Sequence, residues 1–164
     1  MRALATSIAL AAIAALATHA AATTTRVPTV PCRDVIGQAQ TGHDGGYRVV
    51  LGIVSVPPAR LTQVAATGER RWPYWRKAGL VVRAGSVPVG VSVPSAWRLR
   101  AAIVWGGSGR VPALRIAACP PPSDVWNAYA GGFLIRTRRQ CVPLTFKVGE
   151  RSQTVRFGVG GACR

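Results

Sequence analysis

The chain has 164 residues, of which 21 are basic and 5 acidic, so its formal net charge at pH 7 is +16. This length suits one domain with a single core, and the basic excess favours anionic partners. Beyond residue 22 the chain holds one histidine, His43, and no methionine, which excludes a blue-copper centre and makes an imidazole-based metal site improbable.

The N-terminus has the layout of a secretory signal peptide over residues 1–22. Arg2 supplies a positive charge, the stretch from Ala3 to Ala17 is almost wholly apolar, and small residues follow up to Ala22. A membrane span needs roughly 20 apolar residues, so we predict a signal helix cleaved after Ala22, or after Ala20, and an exported product. Cleavage removes Arg2 and lowers the formal net charge from +16 to +15. A retained N-terminal anchor is the alternative.

Residues 23–31 (TTTRVPTVP) predict an extended arm, because they combine β-branched residues with Pro28 and Pro31. The arm leads to Cys32. We predict one disulfide-bonded β domain over residues 32–164, because no repeat or interdomain linker divides that stretch.

The domain has the pattern of short β-strands separated by glycine and proline. The predicted strands are 47–56, 79–83, 87–93, 98–105, 113–119, 132–137, 142–148 and 152–159. Hydrophobic residues alternate with polar ones in several of them, as in Leu144, Phe146 and Val148, and as in the valines from Val87 to Val93. We therefore predict an all-β fold, a single antiparallel β-sandwich of the immunoglobulin-like type with about seven to eight strands.

Helix is expected only as a short turn over Asp124 to Tyr129, capped by Ser123.

The strand alternation also directs basic side chains to the solvent. These residues are Arg98, Arg100, Arg115, Arg136, Arg138, Lys147 and Arg156. The pattern predicts a broad positive surface over the sheets; alternatively, the arginines reflect the composition of a GC-rich genome.

Four cysteines, Cys32, Cys119, Cys141 and Cys163, predict two disulfides in an exported chain. Sequence alone allows three connectivities. We predict Cys32 with Cys163, which ties the ends of the domain, and Cys119 with Cys141, which closes a short loop. The chain has no Cys-x-x-Cys pair, so a zinc site is not expected.

The chain has few residues that could act as acids or bases in catalysis. The acid–base candidates are His43, Asp34, Asp44, Asp124, Glu69 and Glu150. His43 and Asp44 are adjacent in a glycine-rich loop, a placement that rarely gives the geometry of a catalytic triad. The stretch 106–109 (GGSG) is followed by Arg110 where a nucleophile elbow needs glycine. We predict no catalytic residue, no metal and no cofactor.

The densest functional signal is the segment 69–77 (ERRWPYWRK), which interleaves basic and aromatic side chains. The candidate ligand-binding residues are Arg70, Arg71, Trp72, Tyr74, Trp75, Arg76 and Lys77. Such residues stack on sugars or bases while holding acidic groups. The competing interpretation is structural, with the aromatic rings packed into the end of the sandwich and the arginines extending to solvent. Trp97, Trp105 and Trp126 are predicted to pack in or near the core.

Three stretches of the C-terminal half, WNAYAGGF (126–133), CVPLTFKVG (141–149) and TVRFGVGGAC (154–163), resemble small exported β-domain proteins of high-GC bacteria. The resemblance implies an exported β domain and a bridge between Cys141 and Cys163. It implies no function.

These observations predict an exported, extracellular, non-catalytic binding or structural module. It would associate with anionic cell-wall polymers or with an anionic membrane surface, and no sequence-specific nucleic-acid binding is expected. The alternatives are an extracellular hydrolase, which would need two nearby carboxylates, and a secreted inhibitor or antimicrobial protein. The oligomeric state stays open.

Overall fold

A computed structural model describes residues 26–85, 87–120 and 125–163. The predicted signal peptide over 1–22, together with Ser123 and Asp124, lies outside the described residues. The predicted all-β class is confirmed, since strands predominate and the described helices are three single 3-10 turns, Cys32–Asp34, Asp44–Gly46 and Ser95–Trp97.

Fifteen strands follow one another along the described chain. They are β1 (Thr29–Val30), β2 (Val35–Ala39), β3 (Arg48–Val50), β4 (Val54–Val56), β5 (Arg60–Leu61), β6 (Ala65–Ala66), β7 (Tyr74–Lys77), β8 (Leu80–Arg83), β9 (Val89–Ser92), β10 (Ala101–Trp105), β11 (Ala113–Ile116), β12 (Trp126–Tyr129), β13 (Gly131–Ile135), β14 (Gln140–Val148) and β15 (Arg151–Val159).

The strands form three sheets. Sheet A has the order β1-β11-β9-β14-β15-β5, sheet B the order β2-β12-β8-β4-β3, and sheet C the order β10-β13-β7-β6. Two short pairings, β1 with β11 and β15 with β5, are parallel. The other pairings between these strands are antiparallel.

Sheets B and C share two stretches of chain. In sheet C, Lys77 of β7 lies opposite Gly132 of β13, and in sheet B, Leu80 of β8 lies opposite Tyr129 of β12. From Lys77 to Leu80 the chain advances three residues, and from Gly132 back to Tyr129 it also moves three residues. The antiparallel register therefore continues unchanged from sheet C into sheet B. The Ala78 amide donates to the Gly131 carbonyl at 2.8 Å across the gap. The two sheets are therefore continuous along these two stretches.

One hydrophobic core is enclosed by all three sheets. Phe133 of sheet C lies at its centre, with its ring centroid 5.8 Å from that of Trp105 and 5.3 Å from that of Phe157 in sheet A. Trp105 and Trp126 are buried as predicted, and Trp97 packs half-buried against the core. The many valines and aromatic residues form strands here because their side chains fill a pleated, buried face.

The predicted alternation is confirmed in the long hairpin of sheet A. Leu144, Phe146 and Val148 of β14 are buried while Lys147 is exposed. Val87 departs from the prediction, since it precedes β9 and is 53% exposed. The seven basic side chains predicted to face solvent are all exposed.

Two local predictions are wrong. The predicted strand 47–56 is a hairpin of β3 and β4, because Leu51 and Gly52 turn the chain with positive φ angles of 52° and 77°. The predicted helical turn ending at Tyr129 is strand β12, placed between β2 and β8. Pairing on both sides outweighs the weak helical preference of those residues.

The predicted disulfide pairing is also wrong, because the bridges are Cys32–Cys119 and Cys141–Cys163. The parallel pairing of β1 with β11 continues in a hydrogen bond from the Ala117 amide to the Val30 carbonyl, which brings Cys32 beside Cys119. At the other end the chain folds back over β15. The bridge between Cys141 and Cys163, which the family resemblance implied, closes that fold.

Two tyrosines, Tyr47 half-buried and Tyr129 buried, make the stability of the fold sensitive to alkaline pH. The Tyr47 hydroxyl donates to the Gly79 carbonyl at 3.4 Å, and the Tyr129 hydroxyl lies 3.2 Å from the Cys119 sulfur. Burial raises the pKa of both phenols above 10.0, and for Tyr129 the nearby Asp34 carboxylate raises it further.

We expect the free energy of unfolding to fall as pH rises above about 10. There the unfolded tyrosines have lost their protons while the folded ones retain them, so alkali favours the unfolded state. Urea unfolding at about pH 9 and pH 11 measures this fall. The double variant Tyr47→Phe/Tyr129→Phe is expected to show a smaller decline. An equal decline in both proteins would contradict the assignment.

Candidate polyanion-binding surface

The structure divides the segment 69–77 between the two faces of sheet C. Tyr74 packs against the main core, whereas Trp75 joins a second small cluster on the opposite face. Trp72, only 5% exposed, is part of that cluster and contacts its buried members Ala102 and Leu134. The structural interpretation fits the burial of Trp72 and the half-buried position of Tyr74, although Trp72 also lines the first depression described below.

The basic side chains of this segment have different surroundings. Arg70, Arg71 and Lys77 are exposed, and the guanidinium of Arg71 lies 5.5 Å from the centroid of the Trp72 ring. Arg76 is half-buried, and its Nε atom has no hydrogen-bond partner among the described residues. Only part of the predicted binding segment is thus accessible to a ligand.

Arg71 lines the first of three adjoining depressions at the surface. We call the three together the basic groove. Their volumes are about 360, 570 and 800 Å³. Leu99 lines both the first and the second, and Arg139, Gln140 and Cys141 line both the second and the third. The arginines that line the groove are Arg60, Arg71, Arg98, Arg100, Arg110, Arg136 and Arg139.

Glu69 is the single carboxylate among the described residues that line the groove, and it forms an ion pair with Arg110. That pair is neutral overall, so the other arginines of the groove keep an uncompensated positive charge. Guanidinium groups match the oxygens of phosphate and carboxylate with two parallel hydrogen bonds. The groove can therefore hold an extended anion by many weak, repeated contacts.

Hydrogen bonds hold the arginines of the second depression together. The Arg136 amide donates to the Arg100 carbonyl at 3.1 Å, and the Gln140 side-chain amide donates to the same carbonyl at 3.0 Å. The Thr137 hydroxyl donates to the Arg139 carbonyl at 3.0 Å. The turn between β13 and β14 is thereby fixed against the start of β10, which brings the backbones of Arg100 and Arg136 together.

The loop 95–100 forms one wall of the groove. Its backbone is a 3-10 turn in which the Trp97 amide donates to Pro94 and the Arg100 amide donates to Trp97, both at 2.8 Å. The indole of Trp97 anchors the loop to the main core, and the Arg100 guanidinium lies 5.4 Å from its ring centroid. Leu99 projects outward and is 76% exposed.

Among the acid–base candidates whose side chains the structure describes, Glu69 alone lines the groove. Asp34 accepts a hydrogen bond from the Gly107 amide at 2.7 Å, which fixes the turn after β10. Glu69 lies in the groove, while Glu150 lines a separate depression beside Val87. His43 is exposed in its loop, and Asp124 lies outside the described residues. Within the described ranges, no group of three or more His, Cys, Asp or Glu residues could hold a metal ion.

The sequence did not predict the groove, although it predicted that some of its arginines face solvent. Arg98, Arg100 and Arg136 were predicted to face solvent, but nothing in the sequence placed them together. Arg60, Arg110 and Arg139 come from distant parts of the chain and are assembled by strand pairing. The one local signal is the stretch AWRLR (96–100), which combines an aromatic anchor, two arginines and an exposed leucine.

No protein-family model, curated protein or solved structure matches the chain. In the part of the chain that the structure describes, every helix is too short to cross a lipid bilayer.

Proposed function

We propose that this protein is an exported, non-catalytic module that binds anionic polymers at the cell surface through the basic groove. The observation that carries the proposal is the convergence of seven arginines, with one ion-paired carboxylate, on three adjoining depressions. Export is supported by the signal-peptide pattern of residues 1–22 and by the two disulfides, which are typical of oxidising compartments.

The groove favours an extended ligand over a compact one. Its arginines are exposed and face water, so each contact with an anion contributes little by itself, about 0.2–1 kcal/mol. Several contacts along one polymer add up, and they also weaken together when salt screens them. An anionic wall polymer, with charges repeated along its length, fits this requirement.

We also propose that the architecture is an immunoglobulin-like sandwich in a broad sense. The continuity of sheets B and C supports it, because together they make one layer whose buried face meets that of sheet A across a single core.

The groove is tested by a triple variant, Arg100→Ser/Arg136→Ser/Arg139→Ser. The control is Arg26→Ser/Arg48→Ser/Arg156→Ser, which removes three exposed arginines from outside the groove and leaves the same net charge. Binding of long-chain inorganic polyphosphate is measured at about 0.15 M ionic strength and at lower salt.

We expect the groove variant to bind polyphosphate at least about ten-fold more weakly than the parent protein, and the control less than about three-fold more weakly. An equal loss in both variants would show that the net charge acts without a site. Absence of binding by the parent protein at low ionic strength would overturn the proposal. The hydrolase and the inhibitor or antimicrobial function remain predictions from the sequence alone.

A further inference from the structure

We infer that the loop 95–100 docks onto an anionic lipid bilayer, with Leu99 entering the interface while neighbouring arginines contact lipid phosphates. This inference rests on the proposed function, since it uses the arginines of the same groove, and it adds a second anionic partner. It adds a role for an apolar side chain that binding to a water-soluble polymer leaves unexplained.

Leu99 is an apolar side chain held in water by a fixed turn. With 76% of its surface exposed, it is the most exposed of the large hydrophobic residues in the described chain. It lies on a turn fixed by hydrogen bonds and by the packing of Trp97 against the core. The side chain is therefore held away from the protein, and its transfer into an apolar environment costs little ordering of the backbone.

Positively charged side chains surround Leu99. Arg98 and Arg100 flank it directly, and both are exposed. Arg136 and Arg139 line the same depression as Leu99. Basic residues surrounding an apolar side chain are typical of surfaces that bind anionic membranes, where the charges attract the headgroups and the apolar group enters the acyl boundary.

The combination of Leu99 with these arginines fits a bilayer as a further partner of the groove, beside an anionic polymer. A hydrophilic chain with phosphate or carboxylate groups satisfies the arginines but offers nothing to an isobutyl group. At a lipid surface both kinds of side chain gain free energy in the same orientation, because headgroups and acyl chains lie within a few ångströms of each other. Trp97 is half-buried and lines the same depression as Leu99, and tryptophan is enriched at membrane interfaces.

The test uses sedimentation with vesicles of phosphatidylcholine alone and of phosphatidylcholine with about 30% phosphatidylglycerol. The test variant is Leu99→Ser. The matched control is Ile36→Ser, which changes another exposed hydrophobic residue, 69% exposed, on the edge strand β2. Both positions are at the surface, and thermal unfolding of each variant checks that it folds like the parent protein.

We expect the parent protein to bind the anionic vesicles and not the neutral ones. Leu99→Ser should weaken vesicle binding at least about ten-fold, since removing a leucine from an apolar environment loses roughly that factor. Ile36→Ser should leave vesicle binding unchanged, and Arg100→Ser should weaken it about five-fold.

Polyphosphate binding separates this inference from the proposed function. Leu99 lines the groove but offers no charge to polyphosphate, so we expect Leu99→Ser to weaken polyphosphate binding much less than vesicle binding, by under about three-fold. Polyphosphate binding without vesicle binding would overturn the lipid inference and leave the groove intact. Vesicle binding that Leu99→Ser leaves unchanged would also overturn it. A parent protein that binds neither polyphosphate nor anionic vesicles would overturn both proposals.

Discussion

Replacing Cys32 and Cys119 together by serine is expected to lower the free energy of unfolding by about 4–5 kcal/mol. The bridge joins residues separated by 87 positions, so it removes much of the conformational freedom of the unfolded chain. The loop-entropy relation gives about 4.6 kcal/mol for that separation. Equilibrium unfolding in urea measures the change. A typical domain is stable by about 5–15 kcal/mol, so the variant would fold marginally.

The second bridge provides a matched comparison. The Cys141–Cys163 disulfide closes a shorter loop, with a separation of 22, and the same relation gives about 3.4 kcal/mol for Cys141→Ser/Cys163→Ser. We therefore expect this variant to be the more stable of the two by about 1 kcal/mol. The reverse order would show that native contacts at the C-terminal end, rather than loop entropy, set the contribution of these bridges.

Phe133→Ala is expected to lower the free energy of unfolding by about 3–5 kcal/mol. The ring has no exposed surface; it packs against Trp105 of the same sheet and against Phe157, and the latter contact joins sheet C to sheet A. Alanine leaves a cavity that the two flanking sheets cannot fill without distorting their pairing. The change in the midpoint of urea unfolding, at constant slope, measures the effect.

Leu99→Ala is the control for this substitution. It also shortens a large hydrophobic side chain, but one that faces water, so we expect a change of less than about 0.5 kcal/mol. Similar losses in the two variants would contradict the placement of Phe133 at the centre of the core. The comparison also checks that a variant at Leu99 leaves the fold intact, on which the vesicle experiment depends.

The basic groove depends on the same core. Phe133 belongs to β13, and the turn that follows this strand carries Arg136, whose amide donates to the Arg100 carbonyl, and Arg139, which lines the same depression. Trp97, which packs on the core, positions the loop that carries Leu99. The groove therefore has a rigid base, in which backbone hydrogen bonds fix Arg100 and Arg136, while Arg110 is held by its ion pair with Glu69.

Much of sheet A was determined by the sequence alone. Alternation along 142–148 and 152–159 predicted the two long strands and their buried residues, because a strand that is buried on one face must repeat its hydrophobic residues every second position. The same rule placed arginines such as Arg115 and Arg156 in solvent. The four cysteines predicted two disulfides, since an exported chain with an even number of cysteines is expected to pair them.

Only the tertiary structure decided which distant segments meet. The pairing of β1 with β11 chose Cys119 as the partner of Cys32, and the pairing of β12 with both β2 and β8 made strand from residues with a weak helical preference. The groove was decided in the same way, because Arg60, Arg100 and Arg139 come together through strand order. Local sequence carries the period of a strand, but the choice of its neighbours depends on contacts across the whole core.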